Sequence, residues 1–226
     1  MPVLAALADL VLPRRCVGCG SYLGALCPDC TPCGPAMLAA AGAWACAPYG
    51  GAVRAALLAY KERGRRDLAD ALGSLLAGAI TTALAAGRTP PGGVVLVPAP
   101  SARATAAARG GNHVLRLARV ASRACGVRTS PRVLALTREV RDSAGLGVAE
   151  RLANLAGAVA ARPAPAGLAA LVVDDIVTTG ATIRACEAAL RDAGWPVVAA
   201  AVVAATPLHT AGHGNPIGRA QPAGLT

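Results

Sequence analysis

Three strand-length apolar runs limit this chain more than any other feature: GGVVLVPAP (92–100), LAALVVDD (168–175) and PVVAAAVVAAT (196–206). None alternates polar with apolar residues, as a strand with one wet face would. Both faces of each must therefore be covered. Between and before them lie segments with helical spacing, at 52–62 and 67–86 (joined at Gly64), 112–125 and 181–194, the last ending at Gly194. Short strands are expected at 44–49 and 132–136, and 149–159 should begin as helix. Strands alternating with helices give an α/β fold with a mostly parallel sheet flanked by helices. With 226 residues, 54% hydrophobic and 15% charged, the chain can bury one sizeable core and carry a small appendage.

The middle run carries chemistry. Residues 171–182 read LVVDDIVTTGAT. A buried strand is expected to end at Asp174 and Asp175, followed by a tight loop and a helix from Ala181. Ligands of open α/β sheets bind at the carboxyl ends of strands. A helix N-terminus presents free N–H groups and a positive dipole end to phosphate. Gly180 allows close backbone approach, and Thr178, Thr179 and Thr182 add hydroxyls. Two carboxylates repel phosphate but suit sugar hydroxyls or hydrated Mg²⁺. The string therefore describes a phosphorylated sugar, with its phosphate on the loop and its ribose hydroxyls beside the acids. The competing reading makes a threonine the helix cap and the acids a solvated strand end. No GxGxxG follows a strand and no Gly-Lys-Ser/Thr occurs, so rival nucleotide motifs are missing.

Six of the eight cysteines fall in residues 16–46. Cys16-x2-Cys19 and Cys27-x2-Cys30 are two pairs, each able to present two thiolates to one tetrahedral Zn²⁺. Gly18 and Gly20 permit the tight turn. So short a piece cannot build its own core, so metal should hold it folded. Cys33 forms a further CxxC with Cys30 and leaves the third and fourth ligands open. A disulfide cluster is the alternative, but it needs an oxidising compartment, for which there is no signal. Cys46, Cys125 and Cys186 read as buried thiols, Cys186 sharing a helix face with Ile183 and Leu190.

The acid pair and Thr-Thr-Gly-x-Thr loop resemble the phosphoribosyl pyrophosphate (PRPP) loop of type I phosphoribosyltransferases. Together with the N-terminal four-cysteine knuckle, they make the chain similar to the ComF family of competence-associated phosphoribosyltransferase-like proteins, from about residue 10 to 206. Three further segments resemble that family: the Val-Pro-x-Pro strand end with Arg109-Gly110-Gly111-Asn112-His113, Arg151 with Asn154, and Tyr60-Lys61-x-x-Gly64. His113 and Ser143 stand where the family usually has Gln, and Val159 where it has an aromatic. Thr178 occupies the position of the Asp base of purine-salvage relatives, which disfavours purine salvage.

The resemblance implies a type I phosphoribosyltransferase-like fold, with a zinc-knuckle module at 1–40, the main domain at 43–206 and a flexible tail at 207–226. It implies PRPP bound by Asp174, Asp175, Thr178, Thr179, Gly180, Ala181, Thr182 and Arg109. Asp174 and Asp175 would be catalytic, Mg²⁺ would accompany PRPP, and Cys16, Cys19, Cys27 and Cys30 would hold structural Zn²⁺. Arg109 and Lys61 are candidates for neutralising phosphate charge, and His113 is either a candidate titrating group near the site or a structural histidine. Three functions compete. One is an enzyme moving phosphoribosyl to a nitrogen acceptor. Another is a non-catalytic protein that handles single-stranded DNA in natural transformation and uses the pocket as a ligand sensor. The third is a docking protein for a DNA-uptake helicase or other partner.

Net charge is +10, with twenty-one arginines and a single lysine, Lys61, which favours anionic partners. Residues 1–12 lack the basic start of a secretory signal. The uncharged run Ala71–Gly87 reads as a buried helix, so no transmembrane segment and a cytoplasmic location are expected.

Overall fold

A computed structural model describes residues 15–87, 90–101, 111–138 and 157–207. Among these, strands β1 (Met37–Leu38), β2 (Ala43–Pro48), β3 (Val94–Pro98), β6 (Ala169–Val177) and β7 (Val197–Ala205) form a five-stranded sheet ordered β1-β2-β7-β6-β3. All pairings are parallel except that of β1 with β2. β6 and β7 each have a parallel neighbour on both sides, which explains why these two runs are almost wholly Ala, Val and Leu. A separate antiparallel pair joins β4 (Leu134–Leu136) to β5 (Val159–Ala161).

Helices cover both faces. Alternation along β6 sends Leu171 and Val173 to one side, against Leu57 of α1 (Gly51–Glu62), Leu72, Leu76 and Ile80 of α2 (Ala69–Ala86) and Leu117 of α3 (His113–Cys125). Ala170 and Val172 face the other side, against Ile183, Cys186 and Leu190 of α4 (Ala181–Asp192). The 66–86 stretch is long and apolar enough to cross a membrane, yet 56% of its apolar window is buried, and α2 packs on β7, β2 and α3. α2 and α3 approach so closely that a Cβ on Gly73 would lie 2.5 Å from Val120.

Local chemistry sets the helix ends. Asn112 caps α3 by accepting the Leu115 N–H at 2.9 Å, and Gly126 ends it with φ 73°. The cysteine segment is not a separate core: Cys16, Leu26 and Cys27 are buried in the same apolar cluster as Leu57 of α1.

Three expectations change. β6 runs past Asp175 to Val177, because β7 continues to pair with it there (Ile176 with Ala204, Val177 with Ala205). The helical start expected in 149–159 lies outside the described residues, which resume at 157; Val159 opens strand β5 by pairing with Leu136. The strand expected at 132–136 starts at Leu134. Cys46 and Cys125 are only partly buried, Cys125 because it is the last residue of α3. Cys186 is fully buried, as its helix face required.

Candidate functional site

β6 carries Asp174 and Asp175 inside the ladder, where successive side chains point to opposite faces. Asp175 therefore points to the face of α1 and α3. Lys61 Nζ, near the end of α1, lies 2.6 Å from its Oδ2, and Nε2 of His113, the first residue of α3, lies 2.7 Å from the same oxygen. Asp174 takes the other face, towards α4, where its charge raises the thiol of Cys186, already raised by burial. Its Oδ1 accepts the Asp175 N–H at 2.8 Å.

These environments split the two acids. Burial, then the neighbouring Asp175 charge, raise Asp174 from 3.8 to about 7. Burial also disfavours ionised Asp175, but Lys61 and His113 outweigh it and hold that carboxyl below the usual range. His113 is itself placed by a second contact, since Tyr60 Oη donates to its carbonyl at 3.1 Å. Its Nδ1 is buried without a partner among the described residues.

Asp174, Asp175, Lys61, His113, Thr178 and Thr182 line one cavity of about 380 Å³, closed by Tyr49 of the turn after β2 and by Ala99–Ser101 after β3. It opens at the carboxyl end of β6, beside the start of α4. Thr179 and Gly180 form the turn behind it. Gly180 has φ 77°, and a Cβ there would meet Ala41 at 2.5 Å, so the turn requires glycine. The Ala181 N–H reaches Thr179 Oγ1 at 3.4 Å, and the Arg184 guanidinium donates to the Thr179 carbonyl. Arg109, Ser143, Arg151 and Asn154 lie outside the described residues. The sequence did not reveal that Lys61 and His113 meet on Asp175. Lys61 being the only lysine was a signal; Tyr49 and Ser101 gave none.

The second cluster lies at the N-terminal end. The sulfurs of Cys16, Cys19, Cys27 and Cys30 all lie within 4.8 Å of one another. Tetrahedral zinc thiolates would stand about 3.8 Å apart, so the set could hold a metal such as zinc. Cys33 falls outside the group and its thiol donates to the Thr31 carbonyl, with sulfur and oxygen 3.7 Å apart. Backbone N–H groups of Gly18 and Cys27 point at the Cys16 sulfur at 3.4 and 3.3 Å. Burial opposes the Cys16 thiolate, but the N–H groups of Cys27, Cys19 and Gly18 outweigh it and bring the thiol down to about 6. Cys30 goes the other way, pushed up to about 12 by the Cys27 sulfur first and by burial next. Without a cation the four sulfurs cannot all ionise, and a divalent metal removes that conflict, so the donor set fits. A Cβ on Gly18 would come within 2.7 Å of both Cys30 Sγ and Ala52 of α1. Only glycine lets the knuckle sit against that helix.

No protein-family model matches this chain, and no curated protein matches it.

Proposed function

We propose that this protein is a phosphoribosyltransferase-like, ComF-like protein that binds PRPP with Mg²⁺ in the cavity at the end of β6. One observation carries this reading: Asp174, Asp175, Thr178 and Thr182 line a single cavity at the strand end where a helix N-terminus begins. The loop hydroxyls and the first N–H groups of α4 suit the 5′-phosphate. The carboxylates suit ribose hydroxyls and the metal. Mg²⁺ would neutralise pyrophosphate charge. Lys61, beside the acids, would share that work once ligand competes for Asp175.

The reaction is transfer of the phosphoribosyl group to a nitrogen nucleophile. The C1–O bond to pyrophosphate breaks, a C1–N bond forms, and the acceptor loses a proton. Charge builds on the ribose ring as the C1–O bond breaks, so holding the ring and stabilising departing pyrophosphate supply most of the acceleration. Thr178 offers no carboxylate to take the acceptor proton, which argues against a purine acceptor. None of the eight cysteines forms a disulfide, which suits a reducing compartment such as the cytoplasm.

Calorimetric titration with PRPP, with and without Mg²⁺, tests the reading on wild type and on Asp174→Asn/Asp175→Asn. Saturable Mg²⁺-dependent binding that the double variant loses supports it. No binding at millimolar PRPP by folded, zinc-loaded protein ends it.

A further inference from the structure

A second groove lies on α3 away from the acids. Arg119, Ser122 and Arg123 of the helix line it with Arg128, Thr129 and Pro131 of the connection that follows, around a cavity of about 450 Å³. His113 marks the start of α3, and six to ten residues at ~1.5 Å each place the groove roughly 9–15 Å further along the helix. The guanidinium groups of Arg119, Arg123 and Arg128 make no ion pair or hydrogen bond among the described residues. No carboxylate lines the groove, and the sequence holds no Asp or Glu between Asp70 and Glu139. Six arginines fall between 111 and 138.

The groove is built on a fixed base. The opposite face of α3, with Val114, Leu117, Ala118 and Ala121, is buried. The connection is tied to β3, since the Arg128 carbonyl accepts from the Leu96 N–H and the Ser130 N–H donates to the Leu96 carbonyl, each at 2.8 Å. Thr129 Oγ1 ties it to α3 by donating to the Ala118 carbonyl at 3.3 Å. Arg123 alone could be assigned to the helix dipole. That does not explain why Arg128, outside the helix, converges on the same groove.

We propose that this groove is an anion site for a linear chain of phosphates. Guanidinium forks match phosphate oxygens, and Arg119 and Arg123 stand about one helical turn apart, as a repeating ligand needs. No aromatic ring lines the groove, so bases are not stacked and sequence is not read. Single-stranded nucleic acid and linear polyphosphate share this chemistry. The site does not depend on PRPP binding.

The test is fluorescence anisotropy of a labelled oligothymidylate with the full, zinc-loaded chain at about 50 and about 200 mM salt, with linear polyphosphate as a separate ligand. Three proteins are compared: wild type, Arg119→Ala/Arg123→Ala/Arg128→Ala, and Asp174→Asn/Asp175→Asn. The arginine heads are exposed, so the triple variant should melt like wild type. The triple variant should bind at least tenfold more weakly at low salt. Its slope of log affinity against log salt should fall by about 2, three phosphate contacts at ~0.7 each. The acid-pair variant should bind as wild type does, whatever becomes of the PRPP reading. Loss of polyphosphate binding alone, where the oligonucleotide never binds, supports the site and names free phosphate chains as its ligand. Unchanged affinity and slope in the triple variant, or no binding of either ligand by wild type, overturns the proposal.

Discussion

The four-sulfur cluster and the acid-pair cavity face the same difficulty and resolve it differently. Each crowds groups of one charge into partly apolar surroundings. Around Asp175 the protein supplies its own partners, the Lys61 ammonium and the His113 ring nitrogen, at 2.6 and 2.7 Å. Around the sulfurs it supplies backbone N–H groups, with the Arg65 guanidinium acting on Cys16 from further off, and Cys30 is left pushed up to about 12. The first site is balanced by side chains brought from distant helices; the second is a donor set that could hold a metal such as zinc. An external ion would do at one end what ion pairing does at the other.

The strongest way to break this contrast is to remove the metal. A chelator, or Cys27→Ser, should lower Tm by about 10 °C or more, because Cys27 is buried in the main apolar cluster. Calorimetry with metal analysis should find one zinc per folded chain, and Cys33→Ser should leave that content unchanged. Folded, metal-free protein with an unaltered Tm would erase the contrast.

Next is Lys61→Met, which leaves Asp175 buried with one partner fewer. It should cost about 3 kcal/mol in denaturant unfolding, and Asp175→Asn in the same chain should restore most of it. No restoration would mean that Lys61 acts by packing and not by charge.

The third handle is pH. Asp174 is raised to about 7 when folded, so its contribution is full below 3.8 and is lost as pH rises through about 7. Asp175 is depressed, so its contribution is present above 3.8 and is lost as pH falls through its folded value. Asp174→Asn should therefore remove up to about 1 kcal/mol per pH unit of falling stability between about pH 4 and 7. Urea midpoints across that range measure it, and an identical slope in the variant would contradict the split between the acids.

The smallest effects separate the two regions most cleanly. Gly18→Ala and Gly180→Ala each drive a Cβ into a neighbour, at 2.7 and 2.5 Å respectively, and should cost about 1–3 kcal/mol each. Gly18→Ala should weaken zinc retention and leave the 380 Å³ cavity unaffected. Gly180→Ala should weaken ligand binding there and leave zinc in place. Crossed effects would show the regions to be coupled through α1, which touches both.

The sequence showed some of this more readily than the rest. The cysteine set lies within fifteen consecutive positions, so spacing paired Cys16 with Cys19 and Cys27 with Cys30, and the structure left Cys33 outside the group. The strand, turn and helix of 169–192 were readable for the same reason, since their determinants are local: an apolar run, a glycine with φ 77° and a helical pattern. The edge strand Met37–Leu38 was not, because two residues show no period and the strand exists only through pairing with β2. Nor was β5, whose residues are strand only because β4 lies beside them.

By itself, the sequence determined the α/β alternation, the burial of β6 and β7 on both faces, the sulfur cluster and the position of the acids before a threonine turn. Each depends on neighbours a few residues apart, where backbone geometry leaves little choice. Tertiary structure alone decided that Lys61 and His113, far from Asp175 in the sequence, meet on one of its oxygens. Strand alternation put Asp174 on the opposite face, and tertiary burial then raised it as its neighbour was depressed. Those outcomes depend on which helix packs over which strand end and on how deeply each carboxyl is buried. Distance and desolvation set electrostatics, and no local pattern in the chain encodes either.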